Sequence, residues 1–152
     1  PTDMEVKKSL AKNTLVHFWK GNLDLVSKAV EEGYDIVNSY HEYTYLDYSY
    51  KSIPLEKAYS FDPIPEGLEE RFHDKIIGSG CQMWGEWVPE ASDMEKMVFP
   101  RLAAYAEVGW TSKTKKNYSV FRSNLNQLLI RWRSQGISLP DKFEKVNFEE
   151  KK

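Results

Sequence analysis

The sequence predicts an α/β fold in which parallel strands are covered by helices, and three observations carry that expectation. A β-branched and aromatic run, Thr14 to Trp19, is followed by helical spacing over 23–32 and then by a second short apolar run from Asp35 to Ser39. Strand, helix and strand in such quick succession make a βαβ unit, whose crossover requires parallel strands with helices packed on the sheet. A third strand-like run from Ile76 to Met83, with two strongly patterned helices beyond it, continues the alternation.

Taken in order, Thr14-Leu-Val-His-Phe-Trp19 reads as a buried strand broken by Lys20-Gly21-Asn22. Asn22 is placed to cap a helix whose apolar positions are Leu25, Val26, Ala29 and Val30, and Gly33 falls where a left-handed C-terminal residue belongs. Asp35-Ile-Val-Asn-Ser39 is the second strand. The stretch Tyr40 to Lys51, with tyrosines at 40, 43, 45, 48 and 50 and Asp47 among them, is expected to be a solvated loop. Phe61-Asp62-Pro63-Ile64-Pro65 is turn chemistry, and Leu68 with Phe72 predicts a short helix before Lys75. The strand from Ile76 is weakened at Gly78 and Gly80, where backbone is expected to approach a neighbour closely. Ser92 and Glu95 have capping-box spacing at the head of a long helix to Gly109. Its expected buried face is Met94, Met97, Val98, Leu102, Tyr105 and Ala106, with a kink or a second start at Pro100. Asn117 caps a last helix with a stripe of Val120, Phe121, Leu125, Leu128, Leu129 and Trp132, closed by Gly136, and the charged tail after Pro140 is expected to fray.

Composition narrows the function classes. With 152 residues, 41% hydrophobic and 29% charged, the chain has room for one core and little for a second domain, and its 14% aromatic content is high. Twenty-one Lys and Arg against 23 Asp and Glu leave a net charge of -2, without the basic excess that phosphate-backbone binding uses, so nucleic acid is not an expected partner. The single cysteine, Cys81, has no partner for an intrachain disulfide and reads as a small buried apolar residue. His17 and His41 have no second His or Cys at ligand spacing, so no metal or other cofactor is expected. The opening PTDMEVKKSL has no signal-peptide core, and no apolar run approaches the roughly 20 residues of a membrane span, which predicts a soluble chain. It begins at Pro1 and enters structure almost at once, as an excised piece of a longer protein would.

Parallel sheets covered by helices place function at the C-terminal ends of their strands. Trp19 stands at the first such end, Tyr45 and Asp47 beyond the second, and Trp84 and Glu86 at the third. Flat aromatic faces beside carboxylates suit sugars, whose C–H faces pack on rings while their hydroxyls donate to acceptors. Each residue alone also has a plainer reading: Trp19 as core, Tyr45 as a loop tyrosine, Asp47 as a turn-forming residue and Glu86 as a solvated one. Trp87, Trp110 and Trp132 read as packing residues. There is no Gly-rich phosphate loop and no nucleophile elbow.

The order of several blocks gives a sharper expectation. Val-His-Phe-Trp-Lys-Gly (16–21), Gly-Tyr-Asp-Ile-Val-Asn-Ser (33–39), Tyr-Leu-Asp-Tyr (45–48), the Tyr59 to Pro65 turn, Ile-Ile-Gly-Ser-Gly-Cys-Gln-Met-Trp-Gly-Glu (76–86) and Phe-Pro-Arg-Leu-Ala-Ala-Tyr-Ala-Glu-Val-Gly-Trp (99–110) follow one another. Over about residues 10 to 112 this succession resembles glycoside hydrolase family 20, the β-N-acetylhexosaminidases. The resemblance implies the C-terminal portion, about the last three βα units, of a (β/α)8 TIM barrel over 1–112, with an appended helix and charged tail over 113–152. It implies a retaining, substrate-assisted hydrolysis of terminal N-acetylhexosamine from glycans, without a cofactor. Carried over by position, Tyr45 would donate to the acetamido oxygen, Trp19 and Trp84 would wall the pocket, and Asp47 and Glu86 would bind sugar hydroxyls. The family's adjacent catalytic Asp-Glu pair is missing: Asp3 and Glu5 are not adjacent, and Asp93 and Glu95 belong to a helix start. The resemblance therefore implies a piece inactive alone, from a parent exported to the periplasm, lysosome or medium, and completed by the rest of its barrel. Three strands cut from a barrel would leave an apolar inner face, so self-association, or a cap formed by the 118–135 helix, is expected. A non-catalytic sugar-binding module and a βα scaffold are the competing classes.

Overall fold

The strands follow one another across the sheet in the order in which they occur in the chain. The computed structural model describes residues 11 and 13–143. In it β1 (Leu15–Phe18), β2 (Asp35–Asn38) and β3 (Ile76–Ser79) form one parallel sheet ordered β1-β2-β3. Leu15 lies opposite Asp35 and Phe18 opposite Asn38. Across the second pairing Ile36 faces Ile76 and Val37 faces Gly78, so Ile77 is an extra residue that bends β3. Sequential order without a reversal is the wiring of a singly wound sheet, as in a barrel.

One face of this sheet is covered. Phe18 and Ile36, with the half-buried Val16 and Ile76, pack against Val26, Ala29 and Val30 of α1 (Asp24–Glu31) and against Leu68 and Phe72. The expected Asn22 cap is present in substance: its side-chain oxygen accepts from the Asp24 amide at 3.0 Å, and Gly33 ends the helix at φ +95°. Leu68 and Phe72 flank and enter a 3-10 helix at Glu70–Lys75, a tighter turn than the α-helix expected there. The opposite face is open, with Leu15 at 51% and Ile77 at 56% exposure.

A second core lies beside the first. It joins Ile53 to α3 (Leu55–Ser60), α5 (Arg101–Trp110) and α6 (Tyr118–Ser134) through Leu55, Ala58, Tyr59, Ala104, Phe121, Leu125 and Leu129. Helix α6 has its predicted cap, Asn117, which accepts from the Val120 amide at 3.1 Å, and its predicted close, with Gly136 at φ +81°. Its buried stripe is narrower than expected, since Val120 and Leu128 are exposed. The helix packs on α3 and α5, so the expectation that it caps the open sheet face does not hold.

Other expectations are corrected by the structure. Tyr40–Lys51 is not a solvated loop: α2 (His41–Thr44) opens it, and Thr44, Tyr45 and Leu46 are buried. β3 ends at Ser79 rather than Met83, with only an isolated bridge at Gln82 beyond it. A side chain at Gly80 would stand 2.9 Å from Ser39 Oγ, the close approach predicted, whereas Gly78 has open space around it. Of the two outcomes expected at Pro100 the structure takes the second start: α4 (Ala91–Val98) and α5 are separate helices, with Phe99 extended between them. The restart shifts the phase, so Arg101 and Ala104 are buried while Leu102 is exposed. No side chain caps α4, and Glu95 instead accepts from the Ser138 amide at 2.8 Å. Cys81 is half-buried rather than core. Trp87 and Trp110 are 81% and 91% exposed and so are not core residues, whereas Trp132 meets Phe99 at 4.8 Å between ring centroids. Asp3, Glu5, the opening decapeptide and most of the charged tail lie outside the described residues.

Candidate functional site

Beyond the ends of β2 and β3 the pairing is resumed once, and that bridge builds the site. Tyr45 and Gln82 form a parallel bridge, with the Leu46 amide donating to Gln82 O at 2.7 Å and the Gln82 amide to Thr44 O at 3.1 Å. Thr44 Oγ1 adds a bond to Tyr40 O at 3.1 Å and lies 3.3 Å from Gln82 Oε1. The segment after β2 is thereby pulled over the C-terminal end of the sheet. Trp19 follows β1 directly, and Trp84 stands two residues past Gln82.

Three predicted residues consequently meet. The Tyr45 ring stacks on Trp19 at 6.1 Å between centroids and 16° between planes, and lies 6.3 Å from Trp84 at 51°. Tyr45 is 8% exposed, while both tryptophans are 48% exposed, so two indole walls open to solvent above a covered phenol. His41 braces the opposite side, with its ring edge-on to Tyr45 at 5.9 Å and its Nδ1 2.9 Å from the Tyr48 hydroxyl. Burial lowers the His41 pKa, with Lys20 and Lys57 acting in the same direction and Glu42 opposing, which favours the neutral ring.

The carboxylates complete the arrangement. Asp47 Oδ1 is buried and has no hydrogen-bond partner among the described residues. Burial raises the Asp47 pKa above the usual carboxylate range, the Glu86 charge adds to the rise, and its own backbone amide and Arg101 offset part of it. Glu86 is exposed, on the connection that leaves β3. Burial likewise raises the Tyr45 hydroxyl, partly offset by Trp84, so the phenol stays a donor at neutral pH. A hydroxyl donor, an unsatisfied acceptor oxygen and two flat apolar walls are the chemistry that a polyhydroxylated ring needs. Among the described residues no group of three or more His, Cys, Asp or Glu side chains could hold a metal ion.

Arg101 is the residue that sequence reading missed. It is fully buried, and its guanidinium donates to Tyr48 O at 2.8 Å, Ile53 O at 3.4 Å, Leu46 O at 2.5 Å, and twice to Met97 O at 3.1 and 2.6 Å. Tyr50 lies under it at 4.3 Å and bonds Phe99 O at 2.8 Å. The available signal was an arginine in the first turn of a small-residue helix, where a solvated position would carry no restriction.

Residues 2–113 match the family described as glycosyl hydrolase family 20, catalytic domain. The chain belongs to that family. Among the curated relatives of this family 20 chain, beta-hexosaminidase 3 of Arabidopsis thaliana is 33% identical over 127 residues, which cover 78% of this chain and 23% of the plant protein. The human beta-hexosaminidase subunit beta is 26% identical over 134 residues, covering 87% of the chain and 24% of the subunit. The solved exo beta-N-acetylglucosaminidase of Vibrio harveyi, crystallised with N-acetylglucosamine, superposes with a TM-score of 0.77 at 26% identity, over 87% of this chain and 22% of that one. The chain thus spans about a quarter or less of the length of these relatives. Its described part is a helix-rich α/β segment of the TIM-barrel class to which these family 20 enzymes belong. No described helix is long and apolar enough to cross a membrane.

Proposed function

We propose that this chain is the C-terminal part of a family 20 barrel, about its last three βα units with an appended helix, and that the longer protein is a β-N-acetylhexosaminidase. Its reaction is the removal of terminal, non-reducing N-acetylhexosamine from glycans with retention of configuration. The single observation that carries this reading is Tyr45, held between Trp19 and Trp84 beside the unpartnered oxygen of Asp47.

In this reading the substrate's own 2-acetamido oxygen attacks the anomeric carbon, so the enzyme supplies no nucleophile. The Tyr45 hydroxyl donates to that oxygen, and the bond strengthens as charge develops on the oxazolinium-like intermediate. Trp19 and Trp84 pack on the sugar and the acetamido methyl, excluding water from the attacking side. Asp47 and Glu86 accept hydrogen bonds from sugar hydroxyls; for Asp47 Oδ1 such a bond also satisfies an acceptor that burial has left unpaired. The general acid that protonates the leaving oxygen, and the carboxylate that orients the acetamido group, belong to the remainder of the barrel. That remainder also covers the open sheet face carrying Leu15 and Ile77. Export of the longer protein, as its glycan substrates require, is part of the same proposal.

The test is hydrolysis of a chromogenic N-acetylglucosaminide by this chain and by an N-terminally extended product of the same gene. Activity only in the longer protein supports the assignment. Activity in neither returns the site to simple sugar binding, and activity in the short chain would make Asp47 and Glu86 an acid/base pair rather than binders.

A further inference from the structure

We propose that Arg101 is a positioning residue, whose guanidinium fixes the peptide that carries Asp47 and so sets where Tyr45 and Asp47 meet the sugar. The inference rests on the reading of those two residues as sugar-binding groups, but its geometry stands apart from it.

Arg101 is 0% exposed, and every hydrogen bond described for its side chain goes to a main-chain carbonyl. The Asp47 carboxyl lies within reach of its charge, but no hydrogen bond is described between the two, and the five donated bonds go to the main chain instead. Two of its acceptors, Leu46 O and Tyr48 O, are the carbonyls on either side of Asp47, a third closes the loop at Ile53, and the last belongs to the final turn of α4. One planar fork thus ties the Asp47 segment to two helices.

Beyond Leu46 the side chains of Tyr48 and Ile53 pack on the second core and the Tyr48 hydroxyl meets His41, but few hydrogen bonds fix the main chain itself. The Tyr48 amide bonds Tyr45 O, and the Ser52 and Ile53 amides bond Ser49 O, all within the loop. The Leu46–Gln82 bond anchors its start, and Tyr50 reaches Phe99 O with its ring under the guanidinium. A lysine has three donors around one nitrogen and cannot span acceptors on three segments as a guanidinium does.

The experiment uses the complete gene product. Arg101→Lys is compared with Leu125→Ala, which weakens the same core without removing a hydrogen bond to the loop. Amide hydrogen exchange without substrate, and KM and kcat on a chromogenic N-acetylglucosaminide, are the readouts. For Arg101→Lys we expect the Leu46, Tyr48 and Ile53 amides to exchange about tenfold faster or more, while α1 amides keep their protection and KM rises more than kcat falls. Leu125→Ala should loosen α6 at least as much as the loop and raise KM less than Arg101→Lys does. Loop exchange that stays at the parent rate, or rises only in step with α6, overturns the proposal. Selective loosening in a protein that hydrolyses no hexosaminide upholds the positioning role and rejects the enzymatic reading alone. Should Arg101→Lys fail to fold, Tyr50→Leu is read against Tyr50→Phe, which loses the bond to Phe99 O but keeps the ring beneath the guanidinium; the loop of Tyr50→Leu is expected to exchange about threefold faster than that of Tyr50→Phe, and equal loop exchange in the two overturns the proposal.

Discussion

Asp47→Asn should make the protein more stable and its sugar binding worse. Oδ1 is buried without a partner, and a polar group left in that state costs about 1–3 kcal/mol. Burial is the largest cause of the raised carboxyl pKa; its own backbone amide offsets part of that, the Glu86 charge adds to it and Arg101 subtracts a little, so the ionised form is disfavoured on balance. Asparagine leaves a polar atom in the same place but discards the charge, on which the desolvation cost chiefly falls, and this should stabilise the fold by about 1 kcal/mol at pH 7. For a chain of this size that is about 2–4 °C in Tm. The pH dependence has a definite sign. Because folding raises this pKa, the folded state holds the proton more tightly than the unfolded one. The group's stabilising contribution is therefore complete below the ordinary carboxylate range and is lost as pH rises through the raised value. The advantage of asparagine should accordingly be present at pH 7 and vanish near pH 3, where both side chains are neutral. Thermal unfolding of the two proteins at both pH values decides it. A lower Tm for the variant at pH 7, or an equal gain at pH 3, would refute the claim that an unpaired buried charge is retained here at the expense of stability.

Two further outcomes follow from the same geometry. Tyr45→Phe in the longer gene product keeps the ring between Trp19 and Trp84 and removes one donor, so kcat on an N-acetylglucosaminide should fall about 100- to 1000-fold with little change in KM; an unchanged kcat would sink the role given to its hydroxyl. This chain in isolation should self-associate through the open face bearing Leu15 and Ile77 and through the unpaired edges of β1 and β3, and a strictly monomeric sedimentation profile over a wide concentration range would contradict that.

Where a segment's periodicity and its burial had one cause, the sequence was a sound guide. The alternation that placed β1, α1 and β2 reflects one sheet face packed on one helix, and Asn117 and Gly136 delimit α6 by local capping chemistry. Trp19, Tyr45 and Trp84 were legible because strand ends converge in parallel sheets, whatever the loops between them do. The misreadings share a different cause. Five tyrosines made 40–51 look solvated, but their rings are consumed by contacts with one another, with His41 and with Arg101. Helix α3 follows Pro54 in a segment too short for periodicity to speak, and it is held by the second core rather than by propensity. Arg101 was invisible for a related reason: a charge in a helix reads as solvated unless its partners are known, and all of these partners are carbonyls that no side-chain pattern records.

The site draws on both cores, and this bears on what the last helix does. Trp19 comes from a strand of the first core, whereas the loop carrying Asp47 is fastened by Arg101 to α5, a member of the second. The second core is completed by Phe121, Leu125 and Leu129 of α6, which lies beyond the residues 2–113 that match the family's catalytic domain. Without α6, Tyr59 and Ala104 would face water, and the helix that aims the guanidinium would lose its backing. An element that touches no predicted site residue therefore supports the site's geometry through two contacts in series, α6 on α5 and Arg101 on the loop. A helix outside the matched residues is thus, in physical terms, part of the scaffold of the proposed site, because the placement of the Asp47 loop depends on a core that α6 helps to close.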